Sequence, residues 1–211
     1  MKTLTQKAIA EVIEKASWTE RAKSLERLAR RFADDALDHA EWRAAIEAFR
    51  VVLYDSEPLV RLVLAESVKA SRDLPGDVLL ALARDIAMVA APVLEHSPLL
   101  TDDDLLPMAQ RATTAHRLAI AGRRGISGRL AAALCRLGER AVILRLLAND
   151  GATLTPETLD ELLDHYPDDD ALDAAIGRRR VLPVSIGSRR LGRARETKAP
   201  QMAWSRTGSL G

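Results

Sequence analysis

The side chains able to do chemistry are few: one cysteine, four histidines and two runs of aspartate. Cys135 could act as a nucleophile only as a thiolate, which needs a cation or a helix N-terminus beside it. His39, His96, His116 and His165 could ligate zinc or move protons. None stands at ligand spacing from another, and neither an HExxH nor a CxxC pair occurs. Asp102-Asp103-Asp104 and Asp168-Asp169-Asp170 offer hard oxygen ligands for Mg²⁺ or Ca²⁺. Both runs lack the glycine and distal glutamate of a calcium loop. Both fall where a helix should begin, and acids there gain ~0.3–1 kcal/mol from the helix dipole. They read as helix-start acids. His96 precedes Ser97-Pro98, at the expected C-terminus of a helix, where a protonated imidazole complements the dipole. Phosphorylation of His96 is the signalling alternative. These groups assign no catalytic residue, no metal site and no cofactor.

The elements that hold these groups read as helices. Hydrophobic residues make up 47% of the chain but aromatics only 3%, and the apolar stock is mostly Leu, Ala and Val. That mix favours helices over β-sandwiches. Ala22, Leu25, Leu28, Ala29 and Phe32 recur at helical spacing, as do Trp42, Ala45, Ile46, Phe49, Val52 and Leu53. From there the chain repeats itself. Leu74, Leu100, Ile126, Leu154 and Leu182 serve as anchors, 26 to 28 residues apart. Each is followed by a residue suited to a helix start: Pro75, Thr101, Ser127, Thr155 or Pro183. Six residues before the anchors stand Val68, Leu94, Ile120, Ala148 and Ile176. Eight after stand Leu82, Met108, Leu134, Leu162 and Arg190.

The unit is therefore helix, short turn, helix. A lone hairpin of this size cannot bury its apolar faces, but stacked copies cover one another. The expected fold is all-α, an α-solenoid of short hairpins. Residues 1–55 form N-terminal helices packed on it, 56–191 the repeats, and 192–211 a disordered tail carrying Trp204. The fifth copy puts Gly187 and Arg190 at core positions and is expected to fray there. Cys135 and His116 fall in core columns of the repeat, so both read as structural.

At the second copy the residues become recognisable. Val89-Ala90-Ala91-Pro92-Val93-Leu94, then Ser97-Pro98-Leu99-Leu100, then Asp102 to Leu106 resembles the core motif of an uncharacterised, mainly alphaproteobacterial family, domain of unknown function 2336. Val60-Arg61, Leu64-Ala65-Glu66, Ala119-Ile120-Ala121 and Arg123 fit beside it, and the resemblance runs from about Leu25 to Leu191. It implies a helical-repeat fold similar to HEAT-like and leucine-rich-repeat-variant solenoids. It implies no activity, so no functional residue carries over.

Charge is the one feature with direction. The net charge is +1, from 31 basic and 30 acidic residues, so only local patterning can select a partner. Between Arg111 and Arg145 the sole acid is Glu139, whereas Leu146 to Leu182 is acid-rich. A basic slab beside an acidic slab is expected, with Arg117, Arg123, Arg124, Arg129 and Arg136 as a contact face for a protein partner. Nucleic acid is the alternative, disfavoured by the charge balance and by the lack of aromatics for base stacking. A single cysteine permits no intrachain disulfide, and no stretch of about 20 apolar residues occurs. With no signal-peptide pattern at the N-terminus, a cytoplasmic, non-enzymatic interaction module is expected.

Overall fold

The computed structural model describes residues 17–197, and most of these are helical. Among them are twelve helices and no strand. Trp204 and the rest of 198–211 lie outside the described residues. The chain divides into two compact units, residues 1–154 and 155–211.

The first unit holds α1 (Trp18–Ala33), α2 (His39–Val52), α3 (Pro58–Val68), α4 (Gly76–Ala83), α5 (Ala87–His96), α6 (Asp102–Arg111), α7 (Thr114–Ala121), α8 (Gly128–Arg136) and α9 (Arg140–Leu147). Local chemistry sets the helix starts. Asp38 and Glu41 close a reciprocal cap on α2, and Thr101 and Asp104 close another on α6. Ser127 accepts the Leu130 N–H at the start of α8, and Pro58 opens α3. The acids 102–104 occupy the first turn of α6.

Each odd-numbered helix packs on the next: α1 on α3, α3 on α5, α5 on α7, α7 on α9. Among the even-numbered helices, α6 packs on α8. Residues at equivalent repeat positions form continuous buried columns, such as Leu64 with Ala90 and Val68 with Leu94 and Ile120. Phe32 joins α1 to α2 by an edge contact with Phe49, ring centroids 5.2 Å apart.

The register of the fourth copy departs from the expected one. Ile126 and Ala152 form a parallel bridge, so the structural anchors are Leu74, Leu100, Ile126 and Ala152, all buried and 26 residues apart. Counting back six from Ala152 gives Leu146, which is fully buried, whereas Ala148 is exposed. Leu154 instead sets the register of the next helix, and Leu159, Leu162 and Leu163 are buried where it places them. Two residues, Thr153 and Leu154, are thus inserted between the turn and that helix. A Leu at the end of a turn outweighs a buried Ala when read by residue type alone.

The second unit holds α10 (Pro156–His165), α11 (Asp170–Gly177) and α12 (Val184–Thr197), with α12 packed on α10. Thr155 and Asp169 cap α10 and α11. The expected fraying at Gly187 does not occur, because α12 runs through it and beyond Gly192. Ile186 supplies the buried contact that Gly187 cannot. Arg190 is no apolar core residue. It is half-buried and forks onto Asp173 with two 2.8 Å bonds, while Arg189 pairs with Asp160 and Asp164.

Candidate functional site

The arginines of the Arg111–Arg145 block do not share one face. Arg117 sits on α7, where Nε donates to the Ala109 carbonyl at 2.7 Å and the guanidinium pairs with Glu139. Arg123 follows α7 and is only 9% exposed. Its guanidinium donates to the carbonyls of Leu94, Ser97 and Leu100, in the equivalent turn one copy earlier. Burial pulls its pKa down, with Asp102 opposing. Arg117 and Arg123 therefore hold the fold together. Arg124, in the α7–α8 turn, is exposed. Arg129 and Arg136 are exposed on α8 seven residues apart, hence on one side of it, with Arg129 paired to Asp103. Arg145 on α9 reaches Glu95 on α5, 3.2 Å away.

That last pair passes over α7 at Gly122. A Cβ there would lie 2.7 Å from the Arg145 guanidinium and 2.9 Å from the Glu95 carboxylate. Glycine leaves the space through which two helices, separated by a third, make an ion pair.

A second arrangement runs along the helix starts. Arg21 on α1 forks onto the Asp55 carboxylate at 2.7 and 2.9 Å, and Arg61 on α3 forks onto Asp85 at 2.6 and 2.8 Å. Arg61 also donates to the Asp55 carbonyl at 2.6 Å. Burial pushes the Asp85 carboxyl up, but the Arg61 guanidinium and the Ile86 N–H outweigh it and hold the group below its ordinary range. Asp55 behaves likewise between burial and Arg21.

His116 is half-buried on α7. Its Nε2 donates to the Asp85 carbonyl at 2.9 Å, which leaves Nδ1 facing the Thr113 hydroxyl at 2.8 Å. Cys135 is buried at 7% exposure. His96 is exposed at the end of α5, while His39 and His165 lie exposed at a helix start and a helix end. Among the described residues no group of three or more His, Cys, Asp or Glu could hold a metal ion. No described helix is long and apolar enough to cross a membrane.

Residue type alone did not mark a cleft of about 490 Å³ lined from α4, α5, α6 and α7. Leu94, Met108 and Ile120 supply its apolar lining, and Arg84, Arg111 and His116 its basic lining. Two acids also line it. Asp103 is paired with Arg129. Asp104 is held below the usual carboxylate range by the Thr101 hydroxyl and N–H, with Arg84 contributing. The cleft draws on four helices and a turn over 38 residues, Ala83 to Ile120, so no short motif signals it.

No curated protein and no solved structure matches the chain. The sequence profile of one family, described as an uncharacterised protein conserved in bacteria, matches residues 89–203. That span begins within α5 and includes the Ile126–Ala152 bridge, the Arg123 turn and all of α10 to α12. With more than half of its length inside that profile, the chain belongs to the DUF2336 family of uncharacterised proteins conserved in bacteria.

Proposed function

We propose that this protein is a non-enzymatic interaction module. In this reading its first unit is a HEAT-like α-solenoid that binds a protein partner across the row of odd-numbered helices. The observation that carries the reading is an apolar face left uncovered on that row. Leu59 is 38% exposed and Met88 46%, with Ala115 and Ala141 exposed at the corresponding ends of α7 and α9. One helical turn further on, Leu62, Ala91, Leu118 and Leu144 are half-buried on the same side. An apolar side chain exposed near the start of each of these four helices supports an interaction surface along the row, since grouped exposed apolar residues mark such surfaces.

The Glu95–Arg145 pair supports the same face. Side chains on α5 and α9 meet across α7 most readily where a row of helices curves toward the side carrying them. Solenoids bind through such extended concave surfaces. Arg124, Arg129 and Arg136, the exposed members of the five arginines expected as a contact face, are proposed as a secondary contact for acidic partners. Nucleic acid is less well supported, because Arg117, Arg123, Arg129 and Arg145 already donate to protein acceptors.

Pull-down from native lysate with paired variants tests the assignment. Leu59→Glu with Met88→Glu should lose the partner, and Arg129→Glu with Arg136→Glu should weaken it. A partner set unchanged by the first pair removes the odd-helix face from consideration.

A further inference from the structure

The cleft lined from α4 to α7 has features a protein-binding face does not need. Its volume of about 490 Å³ falls in the range of small-molecule sites, roughly 300–1,000 Å³. Its lining is mostly apolar, through Leu94, Met108, Pro107 and Ile120. Arg84 follows α4 and Arg111 ends α6, and both are exposed. Among the described residues, neither side chain makes a hydrogen bond or an ion pair, although Asp104 feels the charge of Arg84. This contrasts with Arg117 and Arg123 nearby, which are engaged. The two lining carboxylates are already occupied, Asp103 by Arg129 and Asp104 by its cap with Thr101. The cleft therefore offers two uncommitted guanidiniums above an apolar lining.

We propose that this cleft binds a small organic anion, with a carboxylate or phosphate head on an apolar body. A guanidinium presents a planar fork that matches either head with two parallel N–H bonds. The head sits at Arg111 and Arg84, and the body lies against Met108, Leu94 and Ile120. His116 forms part of the wall, its ring fixed between the Asp85 carbonyl and the Thr113 hydroxyl, which donates to Nδ1. This goes beyond partner binding, because it gives the module a ligand of its own.

Isothermal titration calorimetry on the full chain tests it with four probes. Octanoate and octyl phosphate carry both parts, inorganic phosphate carries the head alone, and octanol the body alone. Saturable one-to-one binding of octanoate or octyl phosphate is expected, tighter than head or body alone, and the stronger of the two identifies the head. Arg84→Gln combined with Arg111→Gln should weaken it about tenfold or more, the scale of a lost charge-assisted hydrogen bond. Ala112→Trp, which fills the cleft without removing a charge, should abolish the same heat. Circular dichroism establishes that each variant is folded. Inorganic phosphate binding as tightly as octyl phosphate overturns the amphipathic ligand. Absence of saturable binding by either amphipathic probe, or unchanged binding in the folded arginine and tryptophan variants, overturns the site.

Discussion

Asn149 donates its side-chain amide to the Arg123 carbonyl at 2.6 Å, and Arg123 in turn donates its guanidinium to the Ser97 carbonyl at 2.8 Å. The three residues occupy one repeat position, three before Ala152, Ile126 and Leu100. Each donor thus reaches back one copy, to the turn whose carbonyls would otherwise end a helix unsatisfied. The turns are stitched to one another independently of the apolar columns.

Removing a donor from this chain should destabilise the first unit without changing its helices. Asn149→Ala and Arg123→Met are each expected to cost about 1–3 kcal/mol, since carbonyls that lose their donors stay partly buried. Urea unfolding followed by circular dichroism gives the number. The native spectrum should match the parent.

Gly151 should tolerate nothing larger. A Cβ there would stand 1.8 Å from the Arg124 carbonyl oxygen, a backbone atom that cannot swing aside. Gly151→Ala is expected to cost about 2–4 kcal/mol, in the range of clashes at packed sites. Gly125→Ala, with nothing within 4 Å of its Cβ, serves as the control and should stay within about 0.5 kcal/mol.

Gly122→Ala is a different case, because the obstructing atoms are the ends of two long side chains. The Glu95–Arg145 pair should be pushed apart at a cost below about 1 kcal/mol, as expected for a partly exposed ion pair. The residual effect should shrink in high salt. Equal losses at low and high ionic strength would assign the cost to packing instead.

Acid should weaken the row of helix starts. Asp55 and Asp85 have folded pKa values below the ordinary carboxylate value. Their contribution is therefore full above the unfolded value of about 3.9 and is lost as pH falls through the folded one. Stability measured from pH 7 downward should hold until about pH 4 and then decline. Asp85→Asn should flatten part of that decline.

Cys135 should react slowly with a thiol reagent in the native protein and rapidly in urea. It is buried, and access to the thiolate controls the reaction. Native reactivity equal to that in urea would contradict its place in the core.

Much of the helical framework was legible in the sequence, because it rests on local signals. Thr101, Ser127 and Thr155 announce helix starts by residue type, and Val68, Leu94 and Ile120 mark the core by spacing. The buried place of Cys135 and the half-buried place of His116 were legible for the same reason. The arginine block was not, since the partners of Arg117, Arg129 and Arg145 stand 22, 26 and 50 residues away. A run of like charges carries no trace of such distant acids. The donor chain did leave a trace. Ser71, Ser97, Arg123 and Asn149 form an all-polar column beside a buried one.

Thr153 and Leu154 carry a consequence for how such a chain can lengthen. Two extra residues within a helix would rotate everything beyond them by about 200°, turning the buried face outward. Placed between the Ala152 turn and the Thr155 cap, they lie outside both helices and interrupt neither. Growth there is silent to the core. A loop, a label or a protease site introduced at that point should be carried with both units folded.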